Sequence, residues 1–181
     1  MNTLVTPPAI HIDSLTKPSM TKHQDLIAAV KGIQGLVAFD SPLRELTTLR
    51  IGGPADALVV PKDIDDICRL MAQADQAQVP LYVLGGTNVL IRDGGIRGIV
   101  VSLSSLNAMA VEGEDNTIVY AGGGVRMPTL LGFAGSQSLT GLEWAAGIPG
   151  TVGGAVVMNA GTRLGEMKDC LKAIQLISPE G

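Results

Sequence analysis

The sequence predicts an α+β fold in two lobes, a small parallel β-α-β lobe followed by a second lobe with antiparallel strands. Three observations predict it. Between Asp56 and Leu84 a strand-like apolar run, an amphipathic helical pattern and a second apolar run succeed one another, the order of a parallel crossover unit. Past Leu106 two short strand-like runs flank Gly113-Glu114-Asp115-Asn116, a hairpin signal. The length, 181 residues, leaves room for one ordinary domain or two small lobes.

The elements follow in order. Residues 1–23 carry Pro7, Pro8, Pro18 and both histidines, His11 and His23, without periodicity, and are expected to form a flexible tail in which Met20 is a candidate initiator. This stretch lacks a basic segment followed by a long apolar one, so it does not read as a secretory signal. With both histidines in the tail, Ser-His-Asp, Cys-His and histidine-metal chemistry are excluded from the folded part, and no metal site is expected. A helix is predicted over 24–33, with Leu26, Ile27, Val30 and Ile33 on one face. Ile51-Gly52-Gly53-Pro54 reads as a turn feeding a strand over 56–60. Asp63 is placed to cap a helix whose Ile64, Ile67, Leu70, Met71, Ala74 and Ala77 follow helical spacing. Pro80 restarts the chain as a buried strand to Leu84. Asp93-Gly94-Gly95 is a turn, and 99–103 a strand closing a first lobe over 24–104.

The second lobe is expected over 105–181. Strands over 108–112 and 117–121 form the hairpin. Pro128 opens a helix to about Ser138, although Gly132 and Gly135 each cost it about 1 kcal/mol relative to Ala. Lys172–Ile177 reads as a strand entering the turn Pro179-Glu180-Gly181. Its partner strand is not in the sequence, so this lobe is predicted to be incomplete.

Hydrophobic residues make up 46% of the chain but aromatics only 3%, so the core must be built from Val, Ile, Leu and Ala. Glycine appears 23 times, well above its usual share of about 7%, and in clusters, which suggests ligand loops. The formal net charge is -4 with no Lys/Arg block, which argues against nucleic acid. No apolar run reaches the roughly 20 residues that span a bilayer. Cys68 and Cys170 lack metal-ligand spacing and read as unpaired core thiols of a cytoplasmic protein.

Two glycine clusters are candidate ligand loops. Gly85-Gly86-Thr87-Asn88 follows a predicted parallel strand, where open sheets bind ligands, and its amides can form an anion nest; a tight turn with a left-handed Asn is the alternative. From Trp144 through Thr162 the chain carries no charge. There Gly147, Gly150, Gly153 and Gly154, bent at Pro149, present bare main chain. Asn159-Ala160-Gly161 adds a polar point. This surface suits a flat apolar ring; packing between lobes is the alternative. No G-x-x-x-x-G-K-[ST] is present, which argues against a Walker site, and the loop after Leu84 is not followed by a helix, so a Rossmann site lacks its required context.

In that order, TLRIGGPAD (Thr48–Asp56), VLGGTNVLIRDGGIRGIVV (Val83–Val101) and GLEWAAGIPGTVGGAVVMNAGTRLGEM (Gly141–Met167) resemble the UDP-N-acetylenolpyruvoylglucosamine reductases. The resemblance covers about 24–181 and corresponds to the amino-terminal half of that family. It implies an FAD-binding fold of the vanillyl-alcohol-oxidase type, a monomer when full-length, and a role in peptidoglycan precursor synthesis in the cytoplasm. NADPH would reduce FAD, which would reduce the enolpyruvyl group of a UDP-sugar. The resemblance further implies that Gly85, Gly86, Thr87 and Asn88, with Val89 beside them, hold the pyrophosphate. Gly147, Ile148, Pro149, Gly150, Gly153, Gly154, Ala155, Asn159 and Gly161 would line the flavin and ribityl chain, with Arg50 approaching from the first lobe. The first loop departs from the family's Gly-x-Gly-Ser-Asn by being one residue shorter, with Thr87 for Ser. The family's Tyr-Arg pair, proton-donating serine and terminal glutamate would lie beyond Gly181, as would its substrate domain. The fragment alone is expected to be inactive. Two alternatives stay open, another flavin oxidoreductase of the same fold and a non-catalytic flavin-binding remnant.

Overall fold

The computed structural model describes residues 23–178; the expected tail up to residue 22 and the turn Pro179-Glu180-Gly181 lie outside the described residues. The first half is a four-stranded mixed sheet in the order β1 (Leu36–Pro42), β2 (Pro54–Val60), β4 (Ile96–Val101), β3 (Leu81–Val83). β2 and β3 both run parallel to β4, with α2 (Ile64–Gln76) between them in sequence. That is the predicted crossover unit. β1 adds antiparallel to β2, with Leu36 opposite Val60, and makes the sheet mixed.

Alternation along the strands gives the sheet two apolar faces. Ala57 and Val59 of β2 join Ile99 and Val101 of β4 under Leu70 and Ala74 of α2 and under Leu26 and Ala29 of α1 (His23–Ala29). Leu58 and Val100 face the other way, against Leu43, Ala55 and Ile91. Burying each such Leu, Val or Ile stabilises the fold by about 1.5–3 kcal/mol. Asp63 caps α2 as expected, its carboxylate accepting from the Asp66 amide at 3.0 Å.

α1 is shorter than the predicted helix over 24–33. The chain after Ala29 turns through Gly32, and the amides of Gln34 and Gly35 donate to the Asp66 carboxylate at 2.8–3.1 Å. A buried anion has captured the end of that pattern. His23, assigned to the tail, opens α1 and sets its ring against Phe39 with centroids 5.4 Å apart, so one histidine does stand in the fold. β3 is an edge strand with Tyr82 and Val83 exposed, not the buried strand expected. The thiols also differ from expectation: Cys68 is half-buried and Cys170 exposed.

The second half starts with the hairpin β5 (Met109–Glu112) and β6 (Ile118–Ala121), paired antiparallel around the Gly113–Asn116 turn. α3 (Met127–Ser136) follows with Pro128 in its first turn. Within the glycine-rich run lies a six-residue helix, α4 (Val152–Val157), which the sequence does not predict. Thr151 caps it, its hydroxyl accepting from the Gly154 amide at 3.3 Å. Asn159 then ends it in the left-handed conformation, φ 45°, with Ala160 N–H closing back on the Ala155 carbonyl at 2.8 Å. A small hairpin, β7 (Gly161–Thr162) with β8 (Gly165–Glu166), follows and leads into a 3₁₀ turn, Met167–Asp169. Val125, Met127, Leu130, Trp144, Val152 and Ala155 share a core of their own.

Lys172–Ile177 forms no strand. A strand needs a ladder partner for its amides and carbonyls, and among the described residues none is offered. Ile174 and Leu176 are consequently 52% and 82% exposed. Such a segment is a template for pairing with another chain. The chain is expected to show concentration-dependent self-association in sedimentation velocity, reduced by the double variant Ile174→Lys, Leu176→Lys. A monomer at all concentrations would count against this.

Candidate functional site

A cleft of about 380 Å³ opens where three segments meet. It is lined by Glu45, Leu46, Thr47, Thr48 and Arg50, by Gly85, Gly86 and Thr87, and by Arg126, Gly150 and Thr151. The first segment follows a 3₁₀ turn, Leu43–Leu46. Thr47 is buried, and its hydroxyl reaches the carbonyls of Arg44 and Ile51 at 3.3 and 3.1 Å. That closes the loop on itself and leaves Arg50 in the left-handed region, φ 53°, a conformation that a non-glycine residue adopts only where its surroundings impose it.

The second segment is the loop after β3. Thr48 ties the first loop to it, amide to Gly86 carbonyl at 2.9 Å with the hydroxyl at 3.4 Å. Gly86 has φ 81°, and a Cβ there would stand 2.2 Å from the Leu46 carbonyl oxygen, so no side chain fits. The third segment is a seam: Met127 N–H donates to the Gly150 carbonyl at 2.9 Å and Val152 N–H to the Val125 carbonyl at 2.8 Å. Gly150 (φ 99°) lies so close to the second loop that a Cβ on it would meet Thr87 Oγ1 at 2.7 Å. The two glycine clusters singled out in the sequence thus touch.

The cleft is rich in donors. Among the described residues, the main-chain N–H groups of Gly85, Gly86, Thr87, Gly150 and Thr151 donate to no backbone carbonyl. Arg50 and Arg126 are exposed and, among the described residues, make no ion pair there. Glu45 on the rim is the one carboxylate among the lining residues. Converging unspent amides and two guanidinium groups suit an oxygen-rich anion. No group of three or more His, Cys, Asp or Glu among the described residues is placed to hold a metal ion.

Of the predicted site residues, Arg50, Gly85, Gly86, Thr87 and Gly150 are brought together here. The others do not line the cleft. Asn88 and Val89 continue the loop beyond it, and Gly147 and Pro149 are exposed on the approach to Gly150. Ile148 packs beside the second core, and Ala155 lies within it. The amides of Gly153 and Gly154 are spent on the Gly123 carbonyl (2.9 Å) and Thr151 Oγ1 (3.3 Å), so they are not bare donors. Asn159 holds the β8 region: its Nδ2 donates to Glu166 at 2.7 Å and its Oδ1 accepts from Lys168 N–H at 3.0 Å. Gly161 pairs with Glu166 in the small hairpin. Glu143 and Glu166 have structural duties. Glu143 accepts from Gly141 N–H at 2.8 Å, and Glu166 forms a reciprocal cap with Asp169.

Sequence reading missed Arg126 and Thr151. A single arginine after Gly122-Gly123-Gly124-Val125 has no periodicity or motif to mark it. Only the pairing of Arg126 with Thr151 across the seam puts it in the cleft.

Residues 55–181 match the family described as FAD binding domain. A UDP-N-acetylenolpyruvoylglucosamine reductase of Syntrophomonas wolfei is 42% identical over 147 residues, covering 80% of this chain and 48% of that protein. The crystal structure of the corresponding reductase from Thermus caldophilus is 35% identical with a TM-score of 0.62, over 77% of this chain and 47% of the other. An alkyldihydroxyacetonephosphate synthase shares the fold at 19% identity, with a TM-score of 0.61 over 80% of this chain and 28% of the other. The architecture is therefore the α+β, vanillyl-alcohol-oxidase-type FAD-binding fold. The chain spans about half the length of the curated relatives it matches. Among the described residues, no helix is long and apolar enough to cross a membrane.

Proposed function

Because the chain belongs to the FAD binding domain family, we propose that it is the cofactor-binding half of a reductase that converts UDP-N-acetylglucosamine enolpyruvate to UDP-N-acetylmuramate with NADPH. The observation that carries this reading is the convergence of Arg50, the Gly85–Thr87 loop and Gly150 on one donor-rich cleft, joined to a 42% identity with a relative bearing that name. The full protein would work as a cytoplasmic monomer in peptidoglycan precursor synthesis, with the UDP-sugar bound by residues outside this half.

The cleft fits part of FAD. Its volume, about 380 Å³, lies at the low end of small-molecule sites, roughly 300–1,000 Å³, and suits the diphosphate with its immediate neighbours. Free amides of Gly85, Gly86 and Thr87 would bind phosphate oxygens, with Arg50 completing the charge balance. Asn88 and Val89 would border the outer edge of that loop. Gly147, Ile148 and Pro149 would carry the flavin end away from the cleft along exposed, uncharged chain. Gly153, Gly154, Ala155 and Asn159 would shape that wall from behind, since their amides or side chains are already engaged, with Gly161 set in the small hairpin opposite Glu166. FAD, when bound, supplies hydride-transfer chemistry that side chains lack. The boundary of the two lobes is proposed near 104–105, supported by apolar clusters that reach Leu103 on one side and begin at Met109 on the other.

The test uses both lengths of protein. The 181-residue chain should quench FAD fluorescence saturably but show no substrate-dependent NADPH oxidation. The full-length protein should purify yellow and oxidise NADPH only with the enolpyruvyl sugar nucleotide. Absence of that oxidation in a flavin-loaded full-length protein would overturn the assigned reaction, and a chain that binds no FAD would overturn the site.

A further inference from the structure

We propose that Arg126 is a second phosphate-binding arginine, reaching the cofactor diphosphate from the second lobe while Arg50 reaches it from the first. The inference rests on the reading of the cleft as the FAD diphosphate site and adds a residue to it.

The placement of Arg126 follows from its neighbours. Val125 and Met127 are buried, at 1% and 0% exposure, and anchor the second core. The backbone between them is extended, φ -76° and ψ 139° at Arg126. Successive side chains of extended chain point to opposite sides. With Val125 and Met127 directed inward, Arg126 must point out of the core, and it lines the cleft. The main chain cannot drift, because Met127 N–H and Val152 N–H tie it at 2.9 and 2.8 Å to the glycine segment on either side of Thr151.

The electrostatics ask for an anion. Arg50 and Arg126 line one small cleft, and among the described residues neither has an acidic partner within ion-pair distance. Glu45 offsets one of the two charges and leaves the lining positive. Two guanidinium groups lining one cleft repel each other, and an anion bound there relieves that repulsion. A diphosphate, with at least two charges and oxygens facing both ways, satisfies both forks at once. Because the two arginines sit on different lobes, the ligand would also fasten the lobes together.

The experiment compares wild type, Arg126→Ala and Arg126→Lys in the 181-residue chain, with FAD and riboflavin as probes. Riboflavin shares the ring but lacks the diphosphate. Arg126→Ala should weaken FAD about 10- to 100-fold, the worth of one charged hydrogen-bonded contact, leave riboflavin unchanged and flatten the salt dependence of FAD binding. Arg126→Lys, which keeps charge but not the fork, should fall between. The melting temperature should not move, since the side chain is exposed. Equal losses for FAD and riboflavin, or none for FAD, would overturn the role of Arg126 while the site reading stands. Failure of wild type to bind FAD would overturn both.

Discussion

Replacing Asp66 with asparagine is expected to destabilise the chain by about 3 kcal/mol, a charge-assisted hydrogen bond being worth roughly 1.5–3 kcal/mol and a broken buried ionic group roughly 3–5 kcal/mol. Asp66 is 1% exposed. Its carboxylate accepts from the Gln34 amide at 3.0 Å, Gly35 at 2.8 Å and Lys62 at 3.0 Å, and from Arg69 Nη1 at 3.1 Å. These donors come from the α1–β1 connection, the β2–α2 connection and α2 itself. One carboxylate therefore pins three backbone segments of the first lobe. An asparagine has a single acceptor oxygen, so its NH₂ would face at least one of the converging N–H groups. Leucine should be worse, leaving every donor unpaired.

The same carboxylate makes stability depend on acid. Burial alone would push its pKa up, but the hydrogen bonds from Gln34, Lys62 and Gly35, with the Arg69 charge, outweigh it and hold the group below its ordinary value near 3.8. A carboxyl with a depressed folded pKa binds fewer protons folded than unfolded, so its contribution is complete above the unfolded value and is lost as pH falls through the folded one. The urea midpoint of wild type should exceed that of Asp66→Asn at pH 7, and the gap should shrink below about pH 4. A gap that stays constant into strong acid would show that the carboxylate's charge is not what holds these segments.

Asp66 also shows where sequence reading stopped. The helix around it was legible, since Ile67, Leu70 and Ala74 fall on one face and Asp63 caps it. The buried acid in the first turn was not, because a charge at that position reads as solvent-facing. The spacing Asp63-x-x-Asp66 carried the only hint, a cap-like pair. β1 was missed for another reason. Its residues mix exposed and half-buried positions without the period-two alternation that marks a strand, and what makes them one is the antiparallel partner β2, which no local pattern encodes. Lys172–Ile177 fails in the opposite sense, with strand propensity and no partner. In the site, the glycine clusters were legible because so many residues without a Cβ, set close together, suit close approach of main chain to a ligand or to other main chain. That Gly150 contacts Thr87 while Gly153 and Gly154 turn inward depends on α4, a helix that its own glycines disfavour and that Thr151 and the core at Val152 and Ala155 sustain.

The largest effect on ligand binding is expected from Gly86→Ala. Gly86 is buried with φ 81°, a conformation that costs an L-residue about 1–2 kcal/mol. The added methyl would also stand 2.2 Å from the Leu46 carbonyl oxygen, an atom of the main chain that cannot rotate aside. The loop bearing Leu46, Thr48 and Arg50 must move away, and the Thr48 N–H···Gly86 bond at 2.9 Å breaks with it. Strain and the lost bond together should lower stability by about 3 kcal/mol. FAD affinity should fall by more than about 100-fold, because the amides and the arginine no longer converge and two such contacts at about tenfold each are lost. Gly85→Ala separates the two effects: its Cβ would have no neighbour closer than Thr151 Oγ1 at 3.9 Å, and its φ is not positive. That variant should melt as wild type does and lose FAD affinity modestly, through crowding of the cleft alone. Thermal melts and FAD titrations of the pair decide the matter. If Gly86→Ala binds FAD like wild type, the close approach of Leu46 to the glycine loop does not shape the cofactor site.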